Sequence, residues 1–272
     1  MIMGTDTPAT ASDKPLAGNV AIISGGIGDI GRATALELAR RGADVALGDV
    51  RPAEQSQPLL QELRRLGARA RYDHADVADA QAVRQWVWGV EAELGVPTLV
   101  IANAAIVTVA SVREITPEQW SAEMRINLDG AFHLAQAAAL RMLGHHRQGR
   151  IVFVGSWAAH APHPTIPAYC AAKAAMRMLC KCMALELAPH GILVNEVAPG
   201  YVDAGLSGRM FDQNPALRQS AIAHVPIRRL ITPQDVARQI AHLCDPLNNQ
   251  MTGSVLLMDG GLSLVGPKPA DA

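Results

Sequence analysis

An apolar run, a glycine-rich turn and a helical segment follow one another near the start of this chain. Residues 19–23 are apolar, residues 24–31 read S-G-G-I-G-D-I-G, and residues 32–41 have the composition of a helix that Gly42 ends. In this context a G-x-G-x-x-G spacing indicates a dinucleotide site, because glycines let the backbone approach a pyrophosphate and the helix N-terminus presents free N–H groups. A purely structural turn is the alternative interpretation.

Strand-like and helical segments alternate along the rest of the chain. Further strands are predicted at 43–48, 69–74, 97–102, 151–155, 192–197 and 254–258. Helices are predicted at 54–66, 79–94, 116–143, 167–188 and 232–243. This order predicts one α/β domain over residues 16–265, a doubly wound parallel seven-stranded sheet with helices on both faces.

Three segments do not fit the alternation. Residues 201–226 carry several glycines and prolines without clear periodicity, so we expect an irregular substrate loop there. Residues 1–15 and 266–272 are polar, and we expect flexible tails.

Composition limits the classes of function. The formal net charge is −1, which indicates neither a nucleic-acid partner nor an anionic membrane surface. No apolar run reaches the roughly 18 residues of a membrane-spanning helix, and the N-terminus does not resemble a signal peptide. The four cysteines lack zinc spacing, so we expect reduced thiols, no metal and a cytoplasmic location.

Several candidate site residues follow predicted strands, where ligands of parallel sheets bind. Asp49 lies eighteen residues after Gly31, near the roughly 20 expected of a ribose-binding carboxylate. A carboxylate there favours NAD over NADP, because it repels a 2′-phosphate. Arg32 and Arg51 are candidates for a phosphate contact, so NADP stays open; a turn residue before Pro52 is the structural alternative for Asp49.

Ser156, Tyr169 and Lys173 are candidates for proton transfer. Tyr169 and Lys173 are four residues apart and share a helix face, and Ser156 ends the preceding strand. An ammonium about 4 Å from the phenol, at an effective dielectric of about 20, favours the phenolate by roughly 4 kcal/mol, or about 3 pKa units. Burial opposes this effect. A Y-x-x-x-K spacing alone is weak evidence, since such pairs also occur by chance.

Asn127 and a group of aromatic and histidine residues complete the candidates. Asn127 lies inside a predicted helix, where it marks either a kink or surface position or a water-holding group. Five residues are candidates for the substrate pocket: Trp157, His160, His163, Tyr201 and Met210.

Together these motifs resemble the short-chain dehydrogenase/reductase family, in its compact single-domain branch, over residues 16–265. The resemblance implies a Rossmann fold and a nicotinamide coenzyme. It implies a catalytic tetrad of Asn127, Ser156, Tyr169 and Lys173, with Ser156 and Tyr169 also binding substrate. The implied coenzyme-binding residues are Ser24, Gly25, Gly28, Asp29, Ile30, Gly31, Asp49, Asp76, Val77, Asn103, Ala104, Tyr169, Lys173, Pro199, Gly200 and Val202.

The resemblance also implies roles. Tyr169 is the acid/base, Lys173 lowers its pKa and binds the nicotinamide ribose, Ser156 orients the substrate oxygen, and Asn127 holds a water that links Lys173 to solvent. The chain departs from the family pattern at five positions: Ser24 and Ala204 replace threonines, Asp29 replaces a glycine of the coenzyme turn, and Ala102 and Ala105 replace the outer residues of the strand-4 motif.

The function expected from the residues and the resemblance is NAD-dependent interconversion of a secondary alcohol, sugar or polyol and its ketone. The alternatives are an NADP-dependent 3-oxoacyl or ketone reductase and a non-catalytic dinucleotide sensor. The resemblance implies a homotetramer or homodimer with a subunit contact at residues 255–264. The Ala-rich faces of the helices at 117–143 and 167–188 are candidates for further subunit packing.

Overall fold

The structure is a computed structural model that describes residues 14–265, without the side chains of Leu206, Ser207, Arg209 and Met210. Of the tails predicted at 1–15 and 266–272, residues 1–13 and 266–272 lie outside the described residues. Lys14 begins the described chain in a turn that the hydrogen bond from Ala17 N to Lys14 O closes at 3.1 Å.

Seven parallel strands form one sheet in the order β3-β2-β1-β4-β5-β6-β7. The strands are β1 Val20–Ser24, β2 Asp44–Asp49, β3 Ala70–His74, β4 Pro97–Ala102, β5 Gly149–Val154, β6 Ile192–Pro199 and β7 Val255–Met258. The chain reverses its winding between β1 and β4, where Ile22 pairs with Ala46 on one side and Val100 on the other. Such a switch point opens a crevice at the carboxyl ends of the strands.

Helices cover both faces of this sheet, as predicted. They are α1 Asp29–Arg40, α2 Gln57–Arg65, α3 Ala80–Leu94, α4 Pro117–Met124, α5 Gly130–Gly144, α6 Pro167–Leu187, α7 Gly205–Gln213, α8 Pro215–His224, α9 Pro233–Cys244 and α10 Leu262–Val265. One core joins the sheet to α3, α5 and α6, and includes Ile151 and Phe153. The other joins it to α1, α2 and α9, and includes Val152 and Val154. Alternate residues of β5 thus enter opposite cores.

Side-chain caps begin several helices where the sequence predicts them. The Asp79 carboxylate accepts hydrogen bonds from two backbone N–H groups at the start of α3. Thr116 forms a capping box with Gln119, and Thr232 forms one with Asp235. None of the helices within residues 14–265 is both long and apolar enough to cross a membrane.

The structure corrects three of the predicted elements. The helix expected at 116–143 is divided into α4 and α5 by a π-helical segment, Arg125–Asp129. The substrate loop expected at 201–226 contains two helices, α7 and α8. The Asn214 side chain caps α8 and Pro215 follows it, a start signal that the analysis of periodicity missed. Helix α1 begins at Asp29, inside the glycine turn, rather than after Gly31.

Candidate functional site

A cavity of about 1180 Å³ lies at the carboxyl ends of the strands. It is lined by the turn before α1, by the segments after β2, β4, β5 and β6, and by parts of α6, α7 and α8. Most predicted site residues line it: Gly25, Gly28, Asp29, Ile30, Asp49, Asp76, Val77, Asn103, Ala104, Ser156, Tyr169, Lys173, Pro199, Gly200 and Val202. Ser24, Gly31 and Asn127 are not among the lining residues, so these three can act only from behind the wall.

Ser24 holds two strand ends together. The residue is 2% exposed, and its hydroxyl accepts hydrogen bonds from Asn103 N at 3.0 Å and Ala104 N at 3.1 Å. Asn103 Nδ2 returns bonds to the carbonyls of Ser24 and Gly25. A serine is sufficient where the family carries a threonine, because the hydroxyl makes these bonds.

The glycine turn brings the backbone close to the sheet and to α1. Gly25 has φ of +61°, and a Cβ there would lie 3.0 Å from Ala104 Cα. A Cβ on Gly31 would overlap the Gly25 carbonyl oxygen. Gly28 is the N-cap of α1, and no described side chain caps this helix. Its first N–H groups and its dipole therefore suit a pyrophosphate, and the cavity has room for a dinucleotide.

Asp29, the departure within this turn, contacts another element. It occupies the first turn of α1, and its Oδ2 accepts a hydrogen bond from Gly205 N at 2.8 Å. The side chain is thus directed at the start of α7. It links the coenzyme turn to the helices beside the substrate end of the cavity.

Asp49 is buried at the end of β2 and paired with Arg51. Arg51 Nη2 donates to Asp49 Oδ2 at 2.9 Å, and Ile27 N donates to the same oxygen at 3.4 Å. Burial raises the pKa of Asp49, but the hydrogen bonds and charge of Arg51 outweigh it and hold this pKa below its usual range. Arg32 instead pairs with Glu62 at 2.8 Å. Of the two arginines named from sequence, only Arg51 lines the cavity.

Ser156, Tyr169 and Lys173 meet where β5 faces α6. Ser156 is 8% exposed and Lys173 is 2% exposed. Lys173 Nζ donates to Val154 O at 2.8 Å and lies over the Tyr169 ring, 5.6 Å from its centroid. The structure therefore brings together the three residues that the sequence placed on two different elements.

Burial controls the pKa values of this group. It raises the pKa of Tyr169 to about 12, while a hydrogen bond with Ser156 acts in the opposite direction. It lowers the pKa of Lys173 to about 8, against the effect of the Glu196 charge. The prediction that the lysine lowers the pKa of Tyr169 is therefore wrong. The ammonium faces the ring and the Val154 carbonyl, and desolvation of the phenolate is the larger effect.

Asn127 lies within the π-helical segment and is fully buried. Its Oδ1 accepts from Ile106 N and its Nδ2 donates to Ile106 O, both at 2.9 Å. The amide thus fixes the segment after β4, a contact that sequence analysis did not predict. The π-helical turn widens the helix locally, which gives the Asn127 amide room to reach Ile106. A role in a water path to Lys173 stays a prediction.

Aromatic side chains surround the substrate end of the cavity. Trp157 makes edge-to-face contacts with His163 at 4.5 Å and Tyr201 at 5.3 Å between ring centroids. Phe211 packs against Tyr201 at 6.3 Å. Of the predicted pocket residues, Trp157, His163 and Tyr201 line the cavity, whereas His160 is exposed and does not. The Met210 side chain lies outside the described residues.

Sequence analysis missed two charged residues behind the site. Arg177 and Glu196 form an ion pair at 2.7 Å beneath Ser156. Signals for both were present, since Arg177 follows Lys173 by one further helical turn and Glu196 interrupts an apolar strand.

Comparison with known proteins decides the family. A family model described as enoyl-(acyl carrier protein) reductase matches residues 26–263, from the glycine turn to α10. The chain belongs to the short-chain dehydrogenase/reductase family. This short-chain dehydrogenase/reductase is an oxidoreductase of CH–OH groups, as its relatives are.

Two relatives and one solved structure illustrate the similarity. A cis-4-hydroxycyclohexanecarboxylate dehydrogenase of Sinomonas cyclohexanicum is 36% identical, covering 93% of this chain and 99% of the relative. A cyclohexanol dehydrogenase of Rhodococcus sp. strain TK6 is 34% identical, covering 92% and 97%. A structure from Agrobacterium tumefaciens, assigned as a 2-deoxy-D-gluconate 3-dehydrogenase with bound NADP, has a TM-score of 0.84 at 26% identity and covers 93% and 99%.

Proposed function

We propose that this enzyme interconverts a secondary alcohol and its ketone with NAD as coenzyme. The observation that carries the proposal is the convergence of Ser156, Tyr169 and Lys173 with the glycine turn on one cavity. A proton-transfer group and a dinucleotide cradle on the same wall suit alcohol oxidation, in which a hydride and a proton leave together.

Different residues of the chain bind different parts of the coenzyme. The N-terminus of α1, with Gly25 and Gly28, holds the pyrophosphate, and Asp49 accepts hydrogen bonds from the adenosine ribose. Lys173 contacts the second ribose, and residues 199–202 flank the nicotinamide. The bound coenzyme supplies hydride acceptance and donation at its nicotinamide ring.

Tyr169 transfers the proton in this proposal. During alcohol oxidation its phenolate takes the hydroxyl proton, and in the reverse direction its phenol returns one to the carbonyl oxygen. Ser156 donates a hydrogen bond to the same substrate oxygen and keeps it beside Tyr169. Positive charge from Lys173 opposes the desolvation that raises the pKa of Tyr169 to about 12.

The proposed preference for NAD depends on Asp49. Its carboxylate is buried to 7% exposure at the end of β2, where a 2′-phosphate would meet its charge. Arg51 favours the second candidate, an NADP-dependent ketone reductase. Its side chain is 43% exposed beside Asp49, and the guanidinium has the geometry to bind a phosphate if it rotates away from Asp49. The NADP-bound neighbour keeps this candidate open.

A six-membered ring carrying a secondary hydroxyl is the proposed substrate class. The edge-to-face group of Trp157, Tyr201 and Phe211 forms a rigid apolar wall suited to a ring. His163 offers a polar contact: its Nε2 is buried without a hydrogen-bond partner among the described residues, and burial lowers its pKa, which keeps the imidazole neutral at neutral pH. The two relatives act, by name, on cyclohexanol and on a hydroxycyclohexane carboxylate.

The experiment combines coenzyme titration with an alcohol screen. NAD, NADH, NADP and NADPH are titrated calorimetrically into the wild type, Asp49→Ala and Arg51→Ala, and cyclohexanol and linear alcohols are then assayed with the coenzyme that binds. We expect tight NAD binding, cyclohexanol oxidation, and a swing towards NADP in Asp49→Ala alone. Tighter NADP binding that Arg51→Ala abolishes would favour the reductase. Coenzyme binding without turnover of any alcohol or ketone would favour a non-catalytic sensor.

Homo-oligomeric assembly and a cytoplasmic location stay predictions from the sequence. Exposed apolar side chains on α5 and α6 support the first, and the four free cysteines agree with the second.

A further inference from the structure

The ion pair between Arg177 and Glu196 lies directly behind the proposed catalytic group. Glu196 on β6 is fully buried, and the Arg177 side chain on α6 is 11% exposed. Arg177 Nε donates to Glu196 Oε2 at 2.8 Å and Nη2 donates to Oε1 at 2.7 Å, a bidentate arrangement. Because apolar residues of similar volume often stabilise a core as well as such a pair, stability alone does not account for it.

Arg177 connects this pair to Ser156. Its Nη2 also donates to the Ser156 carbonyl oxygen at 3.2 Å. Lys173 Nζ binds the Val154 carbonyl at 2.8 Å, and Gly155 N donates to Val197 O at 2.7 Å. Each of the three consecutive residues 154–156 is therefore held by a main-chain hydrogen bond to a different partner. The position of the Ser156 hydroxyl depends on all three.

Glu196 occupies the space that a side chain on residue 155 would need. A Cβ built on Gly155 would overlap the Glu196 carboxylate, so the glycine admits the acid against the end of β5. There it also acts on Lys173, whose pKa it raises against the effect of burial. The charges of the pair also act on His160, in the short helix after Ser156, and on Cys180 of α6. Lys181 on α6 acts on both of these groups, and Asp259 after β7 acts on His160.

We infer that Arg177 and Glu196 are positioning residues for the proposed reaction. Arg177 fixes the main chain of Ser156 opposite Tyr169. Glu196 fixes Arg177 and supports the cationic form of Lys173. The inference rests on the proposed function, because it assigns the pair to the same proton-transfer group.

Arg177→Lys separates positioning from charge. Lysine keeps the positive charge beside Glu196, but its single ammonium cannot replace the planar guanidinium that bonds both to Glu196 and to the Ser156 carbonyl. We expect kcat for alcohol oxidation to fall about 10-fold, since misplacement of a group that orients the substrate slows the reaction. Coenzyme affinity should stay the same, and amide hydrogen exchange should become faster at residues 155–160.

Arg141→Lys is the matched control. Arg141 makes an equally bidentate pair with Glu91, at 2.5 and 2.8 Å, between α5 and α3. This variant should keep the wild-type kcat and the wild-type exchange at residues 155–160. A wild-type kcat and unchanged exchange in Arg177→Lys, or an equal loss in Arg141→Lys, would overturn the positioning role.

Glu196→Gln tests the electrostatic role. The amide keeps the shape of the side chain and removes its charge, so the pKa of Lys173 should fall further. Because the Tyr169–Lys173 pair then loses its first proton more easily, the low-pH limb of the kcat/KM profile for alcohol oxidation should move to lower pH, whereas Arg177→Lys should leave that limb in place. An unmoved limb in Glu196→Gln overturns this role.

Two further readouts keep these outcomes separable. If Glu196→Gln does not fold, Glu196→Asp replaces it. Aspartate keeps the negative charge but its shorter side chain cannot hold Arg177 in the same place, so kcat should fall while the low-pH limb of the kcat/KM profile stays where it is. A shift of that limb in Glu196→Asp would overturn the electrostatic role of Glu196. If the wild type turns over no alcohol, the proposed function fails, and unchanged exchange at residues 155–160 in Arg177→Lys still overturns the positioning role by itself.

Discussion

Burial shifts the pKa values of Tyr169 and Lys173 in opposite directions, and both shifts affect proton transfer. Burial disfavours the phenolate of one and the ammonium of the other. Forming both ions together lets each offset the desolvation of its neighbour, because opposite charges attract more strongly in a site of low dielectric. Their pKa values consequently belong to the pair rather than to either residue alone.

Replacing Tyr169 by Phe should abolish most of the activity. The variant keeps the ring beneath Lys173 but lacks the proton donor and acceptor, so we expect kcat/KM for alcohol oxidation to fall at least about 10²-fold. Steady-state kinetics with NAD measure this effect. Tyr201→Phe is the matched control, because Tyr201 packs in the same cavity. This variant lacks only a hydroxyl away from the proton transfer and should keep most of the wild-type activity. Full turnover by Tyr169→Phe would exclude it as the acid/base.

Lys173→Met should make the protein more stable at neutral pH. A fall of the pKa from 10.5 to about 8 corresponds to roughly 3 kcal/mol against folding, at about 1.4 kcal/mol per unit. Loss of the bond to Val154 O offsets about 1 kcal/mol, which leaves a gain of about 2 kcal/mol.

The sign of its pH dependence follows from linkage. Below pH 8 lysine is protonated in both states, and the full cost of burying its charge is present. Between about pH 8 and 10.5 the unfolded chain binds more protons, so the wild type gains stability with rising pH and the advantage of Lys173→Met disappears. Denaturant unfolding of both proteins at pH 7 and pH 10.5 measures the difference. A constant difference would contradict the lowered pKa.

Asp29 joins α1 to α7 by accepting a hydrogen bond from Gly205 N. Asp29→Ala removes the acceptor at a cost of about 1 kcal/mol, so we expect KM for the alcohol to rise roughly 5-fold if α7 helps to shape the substrate end. Amide exchange at residues 205–213 should become faster.

Asp29→Asn is the control for that contact. Its amide oxygen still accepts from Gly205 N, so both the KM and the exchange should stay close to those of the wild type. Equal rises in KM for the alanine and asparagine variants would assign the effect to the charge rather than to the hydrogen bond.

The oligomeric state depends on surfaces of the whole molecule. Leu140 on α5 and Met178 and Leu185 on α6 are 59%, 60% and 83% exposed. These helices are the ones whose Ala-rich faces predict subunit packing. Light scattering should give a multiple of the 28.8 kDa chain mass, and Leu185→Glu should reduce it. Leu247→Glu, at an equally exposed residue before β7, is the control and should leave the mass unchanged. A monomeric wild type would contradict the assembly.

Residues whose role depends only on a single turn, helix end or strand end were predictable from the sequence. The glycine turn, the caps at Asp79, Thr116 and Thr232, and the strand ends followed from short-range rules. Segments whose form depends on distant contacts were not. Helix α7 and the π-helical turn around Asn127 form where tertiary contacts hold them, at Phe211 in one case and at Ile106 in the other, whereas α8 begins at a local signal, the Asn214 cap.

The sequence by itself determined the seven strands and their alternation with helices, because periodicity and spacing are local properties of a chain. The proposed tetrad followed from the resemblance of its motifs to the family. Tertiary structure alone decided what these residues face. It paired Asp49 with Arg51, directed Asp29 to Gly205, engaged Asn127 with Ile106, and placed Arg177 and Glu196 behind Ser156. It also set the pKa values, because desolvation depends on the atoms that surround a group and not on its neighbours in sequence.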